Sequence, residues 1–299
     1  MRPLRLASAL CLALALAACG DPVGSADDEM VVVATTSILG DIASHVVGDE
    51  GRVEVLIPNG VDAHDFAPSA QQAGSMATAD LVLANGLGLE AGLTDVLDAA
   101  ADDGTNIVEV APLVEPLTLG SGGDGLDPHF WMDPIRAGEA AVVLGEELAR
   151  LHPEGGWQAR ATEYLLEMEE VDAGIDDILS AVTGDRRKMV TNHHAFGYFA
   201  DRYGFEIVGV IIPGGSTLAE PSSAELAQLV AVMKRAGTGV IFAETSQPTT
   251  IADAVAAELG TGVEVVELFT EALGEPSSGA GTLSGMLLTN AERIAAALA

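Results

Sequence analysis

Six histidines occur in this 299-residue chain, and four of them stand where chemistry is possible. His64 lies in "NGVDAHDFAPS", His129 in "LDPHFWMDP", and the adjacent pair His193 and His194 in "TNHHAFGYFADRYG". Each stretch reads as a loop leaving the carboxyl end of a β-strand, where open α/β sheets place their ligand sites. A single loop histidine is more often a surface residue than a ligand, but three at comparable topological positions form a set. Neutral imidazoles from three loops plus one carboxylate make a four-coordinate site for a borderline divalent cation, with no thiolate required. Glu271, in "FTEALG" after the last strand-like run, is the candidate fourth ligand. His45, in the helical pattern "DIASHVV", and His152, where a helix ends in "RLHPEGG", read as structural.

The elements that must position these loops alternate between strand and helix. "MVVVATTS", "VEVLIP", "LVLANG" and "NIVEVA" are short β-branched runs in the first half, and "KMVTNHH", "EIVGVIIPG", "GVIFAET" and "VEVVEL" repeat the theme in the second. Runs that are continuously apolar suit strands covered on both faces, so each half reads as a small parallel α/β sheet. Between them, Ala161, Tyr164, Met168, Val171, Ile175, Ile178 and Val182 recur at spacings of three and four. The pattern predicts one helix from Trp157 to Val182, about 40 Å long. The expected organisation is a first lobe over 30–154, a linking helix within 155–184 and a second lobe over 185–299, with the site in the cleft between lobes. Local signals agree: Asp133-Pro134 starts a helix, Ser222 and Glu225 form a capping box with a stop near Gly237, and another helix runs from Thr249 or Thr250 to Gly260.

The N-terminus is a processing signal. Arg2 and Arg5 precede an apolar core from Leu6 to Ala18 that is too short to span a membrane. It ends in "LAAC", which resembles the lipobox of bacterial lipoproteins. Residues 1–18 are then a signal peptide, Cys19 carries lipid, and 19–29 is a polar tether, "GDPVGSADDE" after the cysteine. Cys11 leaves with the signal, so neither a disulfide nor a thiolate metal site is expected in the mature chain. Loss of Arg2 and Arg5 takes the formal charge from −32 to −34. A surface that acidic argues against nucleic-acid or anionic-lipid binding. Function is expected outside the cytoplasm.

With the loops located, the chain resembles the metal-binding lipoproteins of bacterial ABC transporters, the zinc and manganese cluster of substrate-binding proteins. The landmarks are "DAHDFAPS", "NGLGLE", "DPHFWMDP", "HHAFGYFADRYG", "AEPSSAEL", "IFAETSQP" and "TEALG" with the later "GTLSGMLLTN". The resemblance implies a metal held between two α/β lobes joined by one long rigid helix, and delivery to a membrane permease driven by a cytoplasmic ATPase. It implies His64 and His129 as ligands. Aligning "AFGYF" at Ala195 to Phe199 makes His193 the third and puts His194 where the family commonly has Asp. The fourth ligand of the family is usually Asp, where this chain offers Glu271. His194, Glu90 and Glu244 are candidates to support the ligands from behind. Zinc is favoured over manganese because His stands at the third position, although the His-rich loop of many zinc-specific members is replaced by "LGSGGDGLDPH". A monomer is expected.

Two other readings compete. Three histidines and a glutamate suit a hydrolytic zinc site with one open position, but no HExxH and no nucleophile motif is present, so no enzyme is expected. A lipid-anchored surface adhesin is the other.

Overall fold

The computed structural model describes residues 30–120 and 125–299. The signal peptide, Cys19 and the tether lie outside the described residues. Two four-stranded parallel sheets follow each other along the chain. The first holds β1 (Met30–Ala34), β2 (Gly51–Val55), β3 (Leu81–Ala84) and β4 (Ile107–Glu109) in the order β2-β1-β3-β4. The second holds β5 (Lys188–Thr191), β6 (Glu206–Val210), β7 (Val240–Glu244) and β8 (Glu264–Leu268) in the order β6-β5-β7-β8. The two orders are the same, so the fold is two copies of one β/α topology, as the paired runs of strand-like sequence predict. In each copy the first strand sits between the second and third, which creates a switch point at the strands' carboxyl ends.

The helices are α1 (Ser37–Val47), α2 (Ala70–Ala77), α3 (Thr94–Asp102), α4 (Pro134–Leu151), α5 (Trp157–Leu179), α6 (Gly197–Tyr203), α7 (Ser223–Ala236), α8 (Thr250–Leu259) and α9 (Leu283–Leu298). Their ends follow the sequence signals. Asp133 caps α4 by accepting from the Ile135 N–H, with Pro134 at the first position. Ser222 and Glu225 close a capping box on α7, which stops at Gly237 in the left-handed conformation. Among the described residues, no helix is long and apolar enough to cross a membrane.

The long helix α5 buries Trp157, Ala161, Tyr164, Met168, Val171, Ile175 and Leu179 along one stripe. It ends at Leu179, short of the predicted Val182, where the chain tightens: Ser180 N–H also reaches the Asp177 carbonyl and Val182 N–H the Leu179 carbonyl, each three residues back. Its 23 residues span roughly 34 Å. At one end Arg160 donates to the Val46 carbonyl at the close of α1. Further along, Asp172 takes bonds from Arg202 and Tyr203 of α6. α5 therefore contacts both lobes, and it packs on α4 through Gly138 and Gly145, where a Cβ would fall 2.5 Å from Leu165 Cδ1 and 2.8 Å from Ala161 Cβ. α9, though it follows the last strand of the second sheet, packs on α5 and α1.

The core is divided unequally. One continuous cluster runs from Val33 and Leu83 of the first sheet through α4, α5 and α9 to Met189 and Phe242 of the second. A separate, smaller cluster joins Val190 and Ile241 to Leu229 and Met233 of α7 and Val255 of α8. Met189 and Val190, like Ile241 and Phe242, are neighbours on a strand and so face opposite sides of the sheet. The second sheet thus shares one face with the main core and closes its other face with α7 and α8 alone.

Candidate metal centre

Each candidate ligand stands in a loop that follows a strand or leads into a helix. His64 follows β2. His129 opens a short helical turn, Phe130–Met132, that leads into Asp133 and α4. His193 lies two residues beyond β5, and Glu271 three beyond β8. The structure brings these four together: one ligand atom from each lies within 4.8 Å of the others. His193 Nε2 is 3.2 Å from His129 Nε2 and 3.4 Å from Glu271 Oε1. His129 Nε2 is 3.5 Å from Glu271 Oε1, and His64 Nε2 is 3.6 Å from Glu271 Oε2. A tetrahedral ion with bonds of about 2.0–2.1 Å has ligand–ligand edges of about 3.3 Å, so these spacings fit one cation.

All four side chains are buried, with His129 and His193 fully so. Among the described residues, His64 Nε2 and both Glu271 oxygens are buried with no hydrogen-bond partner. Leaving such groups unpaired costs free energy, and a divalent ion would satisfy all of them at once. The Nδ1 atoms of the other two histidines face carboxylates. His129 Nδ1 lies 2.7 Å from Asp127 Oδ1, and His193 Nδ1 is bonded to Glu244. Each carboxylate accepts from Nδ1 and turns Nε2 toward the centre, the arrangement that orients and strengthens imidazole ligands.

Burial disfavours a charge on His193, but Glu244 and then Glu271 outweigh it and hold this imidazole well above its ordinary range. Burial alone would raise Glu271; His129, His193 and His64 reverse this and bring it down to about 2. Burial pushes His64 down, against the opposing pull of the Glu271 carboxylate.

Of the residues expected to support the site, Glu244 touches His193. Glu90 touches none of the four. Its carboxylate accepts from Thr35 Oγ1 and the Asn85 and Gly86 N–H groups, closing the loop after β3 on itself. Its reach toward the site is indirect, through Asn85 Nδ2 donating to the Pro128 carbonyl beside His129. His194 stays outside the four-atom cluster; its N–H bonds the Gly214 carbonyl and its ring abuts Gly120. The aromatic run after it packs as expected, Phe199 against Phe196, Tyr203 and Phe205. His45 sits on α1 against Tyr164, and the His152 carbonyl accepts from Trp157.

Two residues escaped the sequence reading. Asp127 supports His129, and Asp62 stands at the matching place before His64. The available signal was Asp-x-His, present in both "DAH" and "DPH". In each, the aspartate Oδ1 accepts from the histidine N–H, at 2.8 Å and 3.0 Å.

The loop carrying Glu271 belongs to the second lobe by sequence but is fastened to the first. Trp131 Nε1 donates to the Thr270 carbonyl, Leu273 N–H to Ser37 Oγ, and Gly60 N–H to the Leu273 carbonyl. Asn59 Nδ2 donates to the Gly274 carbonyl. Three of the four candidate ligands are therefore held by the first lobe.

Two parallel α/β lobes enclosing a buried set of divalent-metal ligands define a class: two-lobed binding proteins of metal uptake. The chain belongs to one family of that class, the periplasmic zinc-uptake complex component A family, whose pattern matches residues 32–297. Zinc-binding protein TroA of Treponema pallidum is 31% identical over 291 residues, covering 94% of this chain and 92% of its own. The manganese-binding lipoprotein MntA of Halalkalibacterium halodurans is 29% identical over 293 residues, covering 96% and 95%. The solved structure of the periplasmic zinc-binding protein TroA of Treponema pallidum superposes with a TM-score of 0.83 at 29% identity, over 91% of this chain and 99% of that one.

Proposed function

We propose that this protein captures a divalent transition metal outside the cytoplasm and delivers it to an ABC permease for import, with His64, His129, His193 and Glu271 as the ligands. The observation that carries the reading is the convergence of four buried ligand atoms, with His64 Nε2 and both Glu271 oxygens lacking a hydrogen-bond partner among the described residues. Zinc is the favoured cargo, with manganese next: three imidazoles at tetrahedral spacing suit zinc, while manganese prefers a larger share of oxygen ligands. Four protein ligands leave no open position for a substrate, which favours carriage over hydrolysis. The acyl anchor on Cys19 holds the carrier, as a monomer, at the membrane where its permease sits.

Competitive titration of the stripped soluble domain with Zn²⁺ and Mn²⁺ tests this. One ion per chain with Zn²⁺ bound more tightly is the expected result; no binding of either ion would overturn the reading. Mass spectrometry of the chain from membranes tests the anchor, which should disappear in Cys19→Ser.

A further inference from the structure

The two Asp-x-His turns start alike and end differently. In the second, Asp127 gives the same oxygen to both the N–H and the ring of His129. In the first, Asp62 Oδ1 accepts from the His64 N–H, and Oδ2 reaches into the second lobe. There it accepts from Thr217 Oγ1 at 2.6 Å and from Gln247 Nε2 at 2.7 Å. Thr217 lies in the loop between β6 and α7, and Gln247 in the loop between β7 and α8. Those loops rise from the layer that α7 and α8 close with their own small core.

We propose that Asp62 is a positioning residue that clasps the outer layer of the second lobe to His64, so that this layer's closure and retention of the metal are one event. Asp62 is buried, and among the described residues no cation pairs with it. Its charge is held by three donors, two of which the second lobe supplies. Hydrogen bonds to an ionised acceptor are strong, yet water replaces them when the group becomes exposed. Both the clasped and the unclasped arrangements are therefore satisfied, as a reversible fastening requires. When the two loops lift, Oδ2 loses both partners, the Asp62 side chain is no longer fixed, and the N–H bond that sets the backbone of His64 loosens with it.

This inference rests on metal capture at the four-residue site, and the test separates the two. Release of Zn²⁺ to an excess chelator is followed by stopped flow for the wild type, Asp62→Ala, Thr217→Val, Gln247→Ala and the Thr217→Val/Gln247→Ala double variant. The loop positions are half-buried and bear no ligand, so they keep the test standing if Asp62→Ala does not fold. One ion per chain is expected throughout, with the association rate within about twofold of wild type and release about tenfold faster in Asp62→Ala and in the double variant. Adding Asp62→Ala to the double variant should speed release no further, because the three residues act as one unit. Release within about twofold of wild type, or a further full increment in the triple variant, overturns the clasp while metal capture stands. A wild type that binds no ion overturns both.

Discussion

At the scale of single residues the site is a proton balance as much as a coordination geometry. In the metal-free protein His193 keeps its proton above the ordinary imidazole range, Glu271 is ionised and His64 is neutral. A metal must displace the proton on His193, so apparent affinity rises with pH, by up to about tenfold per unit, until metal-free His193 is itself neutral. Calorimetry at pH 7 in buffers of different ionisation enthalpy should show about one proton released per ion bound. No release would mean that His193 is already neutral before the metal arrives. Removing a ligand and removing its support also differ in size. His193→Ala should cost more than about hundredfold in affinity, whereas Asp127→Asn and Glu244→Gln should each cost about 10–100-fold. His194→Ala should stay within about tenfold in the same competition assay, since its ring lies outside the cluster. A larger loss than for His193→Ala would reverse the assignment of the pair. Of these residues, His64, His129 and Glu271 are legible in the sequence from their loops alone. His193 and His194 are not, because neighbours just past a strand project differently and only the register of "AFGYF" separates them. Asp62 and Asp127 escape because an aspartate two residues before a histidine looks like any turn residue until its oxygen is seen bonded.

At the scale of elements, the strands and caps are legible because each depends on a local signal: a β-branched run, a Ser-x-x-Glu box, an Asp-Pro start. The packing of α4 on α5 is not, since it turns on glycines whose meaning lies in the opposite helix. Glycine in a helix costs about 1 kcal/mol relative to alanine, so Gly145→Ala would stabilise α4 if nothing faced it. Here the added Cβ meets Ala161 Cβ at 2.8 Å and the Trp157 carbonyl at 3.2 Å, neither of which is a flexible side-chain end. Overpacking should win: denaturant unfolding of Gly145→Ala is expected to show a loss of about 1–3 kcal/mol with an unchanged slope. A gain in stability would mean that the two helices can part at no cost. The fastening of the Glu271 loop is equally hidden from the sequence, because Trp131, Ser37 and Asn59 lie more than a hundred residues before the groups they bind.

At the scale of the whole molecule, the structure does not divide between its two lobes. The main core passes through the inner face of the second sheet, and α5 is bonded to α1 at one end and α6 further along. Tyr198 of α6 adds to this by donating to the Asp127 carbonyl and accepting from the Leu117 N–H, so His193 and His129 are braced against each other. What stands apart is the layer of β6, α7 and α8, closed by its own small cluster and reaching the site through Thr217 and Gln247. Local opening follows the weakest buried cluster, so amides of α7 and α8 should exchange with deuterium ahead of those in α4 and α5. Metal should slow exchange in the loops that carry Thr217 and Gln247 more than anywhere else in the second lobe. The overall dimensions should scarcely change: a radius of gyration near 19 Å, differing by less than about 1 Å between metal-free and metal-loaded protein in scattering. A compaction of several ångströms on loading, or metal protection spread evenly over the second lobe, would show that the lobes close as rigid bodies. Without either, handover to a permease needs only the outer layer lifted from Asp62, which loosens His64 while His129, His193 and Glu271 stay in place.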